Sequence, residues 1–389
     1  MRESTLMEKV VTRRTISFSF IFFLFSFNVI FLAGTSSANV SHDGDNNNVT
    51  ALFLFGDSFL DAGNNNYINT STLDQANFPP YGQSFFHGLP TGRFSDGRLI
   101  SDFIAEYANL PLIPPFLEPG NSQKKLYGVN FASAGAGALV ETFQGSVINL
   151  RTQLDHYKKV ERLWRTRFGK EESKKRISRA VYLISIGSND YSSLFLTNQS
   201  LPIPMSRHVD IVIGNLTTFI HDIYKIGGRK FGFLNVPDLG CFPALRVLQP
   251  KNDHSCLRDA SRFANMHNKA LSNLLFKMQR QVKGFKFSLF DMNKSLRLRM
   301  QHPSKFGFKE GEEACCGTGK WRGVFSCGGK RIVKEYKLCE NPKDYIFWDS
   351  LHLTQNTYNQ FAKLIWNGGH MSDSLVVGPY NINKLFQIP

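Results

Sequence analysis

The stretch ALFLFGDSFLDAGNNN, residues 51–66, joins an apolar run to a polar turn rich in glycine and asparagine. Residues 51–55 have the length and composition of a buried strand, and the residues from Gly56 onward favour turns. A strand with no polar face is typical of a parallel sheet covered by helices on both sides. The stretch therefore predicts a buried first strand with Ser58 in the turn at its carboxyl end.

The same pattern recurs along the chain. Four more apolar runs are each followed by a turn signal, at residues 126–132, 180–186, 230–236 and 286–290. Segments with helical spacing cover residues 99–108, 147–168, 208–226, 257–282 and 355–366. Strands that alternate with helices predict an α/β fold built on a parallel sheet.

Polar or glycine-rich turns follow the first three strands. Ser58 follows strand one, ASAGAG (residues 132–137) follows strand two, and SIGSND (residues 185–190) follows strand three. In parallel sheets, ligands bind outside the carboxyl ends of the strands. We therefore expect these three turns to converge on one functional edge.

A serine nucleophile needs a base and a group that orients that base. In FWDSLHLT, residues 347–354, Asp349 precedes His352 by three positions, a spacing that lets a tight turn point both side chains the same way. Gly135 and Asn189 could donate hydrogen bonds to a tetrahedral intermediate. The alternative readings are a structural histidine, a turn glycine and a helix-capping asparagine.

Four blocks in this order resemble the signature blocks of the plant GDSL esterase/lipases of the SGNH hydrolase superfamily. They are FGDSFLDAGNNNY, GVNFASAGAG, SIGSNDY and FWDSLHLT, spread over residues 55–354. The stretches at residues 92–107, 235–243 and 314–319 also look like this family's. The resemblance implies a three-layer α/β/α sandwich around a parallel five-stranded, flavodoxin-like sheet, the SGNH hydrolase fold.

The resemblance also implies catalytic roles. Ser58 would be the nucleophile, His352 the general base and Asp349 its orienting acid. The backbone N–H of Ser58, with Gly135 and Asn189, would form the oxyanion hole.

Other positions match the family's motifs less directly. Three aspartates also match and are interpreted as structural: Asp57, Asp61 and Asp190. Two residues depart from the pattern, Phe59 where leucine is usual and Leu353 where proline is frequent. Neither departure removes a reacting group, although both could reshape the site.

These observations predict a secreted serine esterase or lipase that cleaves carboxylic esters through an acyl-enzyme, without a metal or organic cofactor. The substrate would be a small-molecule or lipid ester. Two alternatives stay open: a catalytically silent binding or defence-associated protein on the same scaffold, and a cell-wall polysaccharide acetylesterase. Lipid esters, cutin-like polyesters and acetylated sugars all remain candidate substrates.

Motifs of competing chemistries are absent or incomplete in the sequence. There is no Gly-x-Ser-x-Gly elbow and no His-Glu-x-x-His zinc motif. A phosphate loop at CCGTGK would need glycine at Ala314 and serine or threonine at Trp321. Val140 stands where a dinucleotide fingerprint beginning at Gly135 would need its last glycine.

The first 38 residues have the order of a secretory signal peptide. Arg13 and Arg14 precede an apolar run, and Ser36 to Ala38 offer a small-residue cleavage site. An uncleaved membrane anchor is the alternative. We expect residues 39–389 to form a single domain in an extracellular location, in the apoplast or cell wall.

Secretion would expose the chain to disulfide formation and glycosylation. All six cysteines lie in the C-terminal half, and the sequence does not choose among their pairings. A zinc site is disfavoured because no Cys-x-x-Cys pair occurs. Glycosylation sequons occur at Asn39, Asn48, Asn69, Asn198, Asn215 and Asn293.

The formal net charge is +15. This predicts adhesion to acidic cell-wall polymers or to an anionic membrane surface. The densest basic stretch, residues 156–179, is interleaved with glutamates and is typical of a solvated helix face. It matches no nucleic-acid recognition motif, so we expect no nucleic-acid partner.

Overall fold

The computed structural model describes residues 50–120, 123–249, 254–371 and 374–389. The signal peptide expected at residues 1–38 and the sequons at Asn39 and Asn48 lie outside the described residues. The strands are β1 Leu52–Gly56, β2 Gly128–Asn130, β3 Val181–Ser185, β4 Lys230–Leu234, β5 Lys286–Phe290, β6 Glu310–Ala314, β7 Cys316–Gly317, β8 Lys337–Leu338, β9 Tyr345–Phe347, β10 His370–Met371, β11 Ser374–Leu375 and β12 Val377–Pro379. The helices are α1 Ile100–Tyr107, α2 Leu150–Phe168, α3 Lys170–Arg179, α4 Ser188–Leu196, α5 Met205–Ile226, α6 Pro243–Arg246, α7 Arg258–Gln281, α8 Met292–Gln301, α9 Gln355–Asn367 and α10 Ile382–Gln387.

The central sheet confirms the five predicted parallel strands. β1 pairs in parallel with β2 and β3, β3 with β4, and β4 with β5, which is the flavodoxin-like order 2-1-3-4-5. A further strand, β12, joins β5 in the antiparallel direction, with Val377 opposite Phe290. β12 was not predicted, because a strand of three residues is too short to show a period.

Helices cover both faces of the sheet. Phe53 and Phe55 of β1 pack into a core with side chains of α2, α5 and α7. Leu52 and Leu54 point the other way, into a core shared with α1, α8, α9 and α10. The apolar character of both faces of β1 thus confirms the three-layer α/β/α sandwich.

The predicted helices are present with shifted ends. Residues 147–149 lie outside α2, which begins at Leu150 after Asn149 accepts a hydrogen bond from the Thr152 N–H. Gly169, at φ 78°, ends α2 and separates it from α3, so the basic stretch 156–179 covers most of α2 and all of α3. None of the described helices combines the length and apolar character that a membrane span requires.

Three disulfides pair the six cysteines: Cys241–Cys256, Cys315–Cys339 and Cys316–Cys327. Cys315 and Cys316 follow β6, which runs parallel to β9. The Cys316 N–H donates to Trp348 O at 2.7 Å. The segment closed by these two disulfides is therefore attached to the chain that leads from β9 into the turn at residues 349–352.

Candidate active site

Ser58 lies in a buried turn at the carboxyl end of β1. The Asp57 N–H donates to Ser185 O at the end of β3, and the Ser133 N–H donates to Gly56 O. Gly56 adopts φ 146°, and a Cβ at this position would collide with the Ser185 carbonyl. These contacts bring the turns after β1, β2 and β3 together, as the sequence predicted.

The turn from Asp349 to His352 orients the imidazole. Asp349 Oδ1 accepts hydrogen bonds from the backbone N–H of Leu351 at 2.9 Å and of His352 at 2.8 Å. The same oxygen lies 2.8 Å from His352 Nδ1, and Oδ2 lies 3.0 Å from it. Because an ionised carboxylate only accepts, His352 Nδ1 carries the proton and Nε2 is free to accept.

Ser58 and His352 meet although 294 positions separate them in the chain. The distance from Ser58 Oγ to His352 Nε2 is 2.8 Å. The Phe94 ring lies 4.5 Å from the imidazole, centroid to centroid, and packs beside it. The structure therefore brings together the three residues predicted as nucleophile, base and orienting acid.

The charges around Asp349 favour its ionised form. Burial opposes ionisation, but the charge and hydrogen bond of His352, together with Arg331 and the Tyr81 hydroxyl, hold the pKa of the Asp349 carboxyl well below its usual range. The site thus keeps a buried negative charge next to an imidazole that can gain a proton.

The predicted oxyanion donors lie beside Ser58. Gly135, at φ 81°, and Asn189, in the first turn of α4, line the same cavity as Ser58. The Asn189 amide donates to Ala136 O at 2.9 Å, which ties it to the turn that carries Gly135. Among the described residues, neither the Ser58 N–H nor the Gly135 N–H donates to another protein group. Both remain available to a bound oxyanion.

The aspartates interpreted as structural fall into two types. Asp61 accepts from the N–H groups of Gly63, Asn64 and Ala134. Asp190 accepts from the N–H groups of two residues in the loop before α2 and from a threonine hydroxyl in the same loop. Asp57 differs, because its Oδ2 is buried without a hydrogen-bond partner.

The two departures from the family pattern fit the packing. The Phe59 ring lies 6.1 Å from the His352 ring and 6.3 Å from the Phe242 ring, edge to face. Leu353 is fully buried and forms a β-bridge with Phe347. Both residues support the turn that carries His352.

A cavity of about 290 Å³ opens beside Ser58. Its wall is largely apolar, with a few hydroxyl, amide and carboxyl groups near the reacting atoms. The lining residues that are apolar and large are Leu73, Phe94, Phe143, Leu196, Phe325 and Leu351. This composition suits an acyl group with its ester end at Ser58.

Tyr81 and Arg331 lie next to the predicted site residues but were not predicted from the sequence. The Tyr81 hydroxyl donates to Asp349 Oδ2 at 2.6 Å, and Arg331 donates to the Tyr81 oxygen at 2.8 Å. Tyr81 follows two prolines, and Arg331 lies in a lysine- and glycine-rich stretch that reads as a surface loop. Neither position carries a local signal of burial beside a catalytic turn.

The described part of the chain holds no group of three or more His, Cys, Asp or Glu side chains arranged to hold a metal ion. The cysteines that a zinc site would need are in disulfides.

The described sequons differ in exposure. Asn69, Asn198 and Asn215 are exposed. Asn293 is 7% exposed, and its amide donates to Val236 O at 3.2 Å. The glycan at Asn293 stays a prediction, although the burial and the hydrogen bond of this amide argue against its modification in the folded chain.

Comparison with known proteins finds relatives that are named as esterases and lipases. A family model described as GDSL-like lipase/acylhydrolase matches residues 52–365, from β1 into α9. GDSL esterase/lipase 5 of Arabidopsis thaliana is 92% identical over 389 residues, covering 100% of both chains. GDSL esterase/lipase 1 of the same plant is 52% identical, covering 88% of this chain and 93% of the relative. GDSL esterase/lipase 2, also of this plant, is 50% identical, covering 94% of this chain and 97% of the relative.

Proposed function

Because the chain belongs to the GDSL-like lipase/acylhydrolase family and is a carboxylic ester hydrolase, we propose that it works through a Ser58–His352–Asp349 triad and an acyl-enzyme. The observation that carries the proposal is the continuous hydrogen-bond chain from Ser58 Oγ through both imidazole nitrogens to Asp349. A weakly nucleophilic hydroxyl needs this arrangement to react at neutral pH.

The proposed reaction has two halves. In the first, His352 Nε2 takes the Ser58 proton while Oγ bonds to the acyl carbon, and the N–H groups of Ser58, Gly135 and Asn189 stabilise the oxyanion. The protonated imidazole then gives its proton to the leaving alkoxide. In the second half, His352 deprotonates a water, which attacks the acyl carbon. The bond from this carbon to Ser58 Oγ then breaks, and His352 returns the proton to Oγ as the carboxylic acid leaves.

Replacement of the nucleophile tests this assignment. We expect Ser58→Ala to lower kcat by roughly five orders of magnitude, because the covalent route is lost. The melting temperature should stay close to that of the wild type. A fluorophosphonate probe should label the wild type at Ser58, whereas turnover retained in a folded Ser58→Ala variant would contradict the mechanism.

We propose that the apolar cavity accepts the acyl chain of a lipid or other acyl ester. Its six large apolar side chains support a chain longer than acetyl. A series of p-nitrophenyl esters from acetate to palmitate should therefore show kcat/KM rising from acetate to longer chains. A maximum at acetate, with release of acetate from acetylated xylan, would favour the polysaccharide acetylesterase instead.

We further propose that the mature protein is residues 39–389, a single secreted domain in the apoplast or cell wall. The disulfides support an oxidising compartment, and the described residues cluster as one compact unit. Glycans are proposed at Asn69, Asn198 and Asn215, which are exposed, and at Asn48. N-terminal sequencing of the secreted protein should begin at Asn39, and endoglycosidase treatment should lower its mass.

Adhesion to an anionic membrane surface is proposed for the segment at residues 330–338. Ile332 is 89% exposed and lies among three exposed lysines, Lys330, Lys334 and Lys337. Arg331 donates to Leu73 O at 2.8 Å, so this segment adjoins a residue that lines the catalytic cavity. Apolar and basic side chains together suit the headgroup region of an anionic bilayer.

Vesicle sedimentation tests this adhesion. Wild-type protein should sediment with vesicles that contain phosphatidylglycerol and much less with phosphatidylcholine alone. The double variant Lys330→Glu, Lys334→Glu should lose this binding, whereas the matched variant Lys174→Glu, Lys277→Glu, on α3 and α7, should keep most of it. Equal losses in both variants would show that only the net charge matters. Binding to pectate but not to vesicles would favour the acidic cell-wall polymers.

A further inference from the structure

Asp349 is held from outside its own turn by Tyr81. Asp349 Oδ1 is occupied by His352 and by two backbone N–H groups, and Oδ2 accepts from the Tyr81 hydroxyl at 2.6 Å. Tyr81 is buried, and burial raises the pKa of its hydroxyl well above the usual range, with the nearby Arg331 acting in the opposite direction. The hydroxyl is therefore protonated and donates to the carboxylate.

Arg331, from a segment distant in sequence, hydrogen-bonds to the Tyr81 hydroxyl that contacts Asp349. It is 3% exposed, and its guanidinium donates to the Tyr81 oxygen at 2.8 Å and to the carbonyls of Thr72 and Leu73, each at 2.8 Å. Within the described chain, no carboxylate oxygen lies at ion-pair distance from it. Its positive charge instead acts on Asp349 across the Tyr81 hydroxyl, and on Asp74.

Two disulfides hold Arg331 in this place. Its segment is bounded by Cys327 and Cys339, which are bonded to Cys316 and Cys315. The Cys315 and Cys316 N–H groups donate to the carbonyls of Phe347 and Trp348, immediately before Asp349. Arg331 and Asp349 are thus fixed to the same short stretch of backbone.

We propose that Tyr81 and Arg331 are positioning residues for the Asp349 carboxylate. Tyr81 fixes the orientation of Oδ2, and Arg331 orients the Tyr81 hydroxyl and balances part of the carboxylate charge. The proposal rests on the proposed function, because it assigns a role to groups that act through the His352–Asp349 pair.

A purely structural role would lower activity without changing its pH dependence. Asp349 stabilises the protonated imidazole, and the dipole of Tyr81 and the charge of Arg331 weaken that stabilisation. Removing either should strengthen the pairing of Asp349 with protonated His352. The acid limb of the kcat/KM profile should then move to higher pH. Of the other ionisable groups around the site, Tyr358 interacts with Asp349, Asp57 and Asp96, and Asp74 interacts with His352 and Arg331. All of them remain in the variants.

The test compares Tyr81→Phe with Tyr157→Phe on a soluble p-nitrophenyl ester. Tyr157 is a matched control, because its fully buried hydroxyl bonds to Tyr182 in the core on one face of the sheet. We expect Tyr81→Phe to lower kcat roughly tenfold, with KM changed less than about twofold and the acid limb at higher pH. Tyr157→Phe should change the melting temperature but neither kcat nor the limb.

Variants of Arg331 provide a second test of the same proposal. Arg331→Met should move the acid limb in the same direction as Tyr81→Phe and further, and Arg331→Lys should restore part of the shift because it keeps the charge. If Arg331→Met does not fold, the kinetics of Tyr81→Phe alone decide whether the proposal holds. An unchanged kcat, or a lower kcat with an unmoved acid limb, overturns the proposal. Failure of a fluorophosphonate probe to label folded wild-type protein would instead overturn the proposed function.

Discussion

At the scale of single residues, the burial of Asp57 lowers the stability of the folded protein. Its Oδ1 accepts from the Phe59 N–H at 3.1 Å, but Oδ2 is buried without a partner. Burial raises the pKa of Asp57 to about 8, with a smaller contribution from the charge of Asp190. The folded protein therefore keeps a proton on this carboxyl at neutral pH, whereas the unfolded chain releases it.

This difference predicts how stability depends on pH. Between the ordinary carboxyl range and about pH 8, the folded state binds one more proton than the unfolded state, so Asp57 lowers stability progressively as pH rises. Asp57→Asn removes this titration. The melting temperature of the variant, relative to wild type, should rise between about pH 5 and about pH 8 in differential scanning fluorimetry. A constant difference across this range would show that Asp57 is ionised in the folded protein.

At the scale of structural elements, the turn after β2 depends on Gly135. A Cβ here would lie 2.7 Å from Asp74 Oδ1 and 2.8 Å from Val147 Cγ1, so these side chains or the turn would have to shift. The positive φ of 81° adds strain for any other residue. Because Gly135 lines the cavity next to Ser58, a shift of this turn would move a proposed donor for the oxyanion.

We expect Gly135→Ala to lower kcat roughly a hundredfold with a smaller change in KM, because the donor acts mainly in the transition state. Gly145→Ala is the matched control. It has nearly the same φ, 83°, and no atom lies within 4 Å of the added Cβ. Steady-state kinetics of both variants separate the effect of the close contacts from the effect of backbone strain. Equal losses of kcat would attribute the effect to backbone strain rather than to the contacts of Gly135.

At the scale of the whole molecule, two of the three disulfides connect a late segment of the chain to the site. Cys315, Cys316, Cys327 and Cys339 share a small core with Tyr81. The segment between Cys327 and Cys339 includes Arg331, which contacts backbone near residue 73. The wall of the cavity beside Ser58 is also assembled from segments more than two hundred residues apart, since Leu73 and Phe325 both line it.

Removal of one disulfide should therefore affect both stability and turnover. We expect Cys316→Ala, Cys327→Ala to lower the free energy of unfolding by about 3 kcal/mol, since the unfolded chain gains freedom. Its kcat should fall even well below the melting temperature, because the anchor of Arg331 is weakened. Cys241→Ala, Cys256→Ala should lose comparable stability with a smaller fall in kcat. Urea denaturation and kinetics on both double variants distinguish these effects, and equal kinetic losses would contradict a specific role of the first disulfide.

The sequence by itself determined the parallel sheet and predicted the candidate reacting groups. Apolar runs of strand length, such as residues 51–55, and the turn signals that follow them are patterns of neighbouring residues. They can therefore be recognised from the sequence alone. The parallel order then places Ser58, Gly135 and Asn189 at one edge, and the Asp349–His352 turn is a local hydrogen-bonding pattern.

Only the tertiary structure decided the contacts between distant segments that lack a period. The pairing of the cysteines, the addition of β12 to the edge of the sheet, the burial of Asn293 and the approach of Arg331 to Tyr81 all belong to this group. Each depends on which surfaces meet after the helices and the sheet have packed. The residues adjacent in sequence do not show which surfaces will meet, because a buried arginine and an exposed arginine can have the same kinds of sequence neighbours.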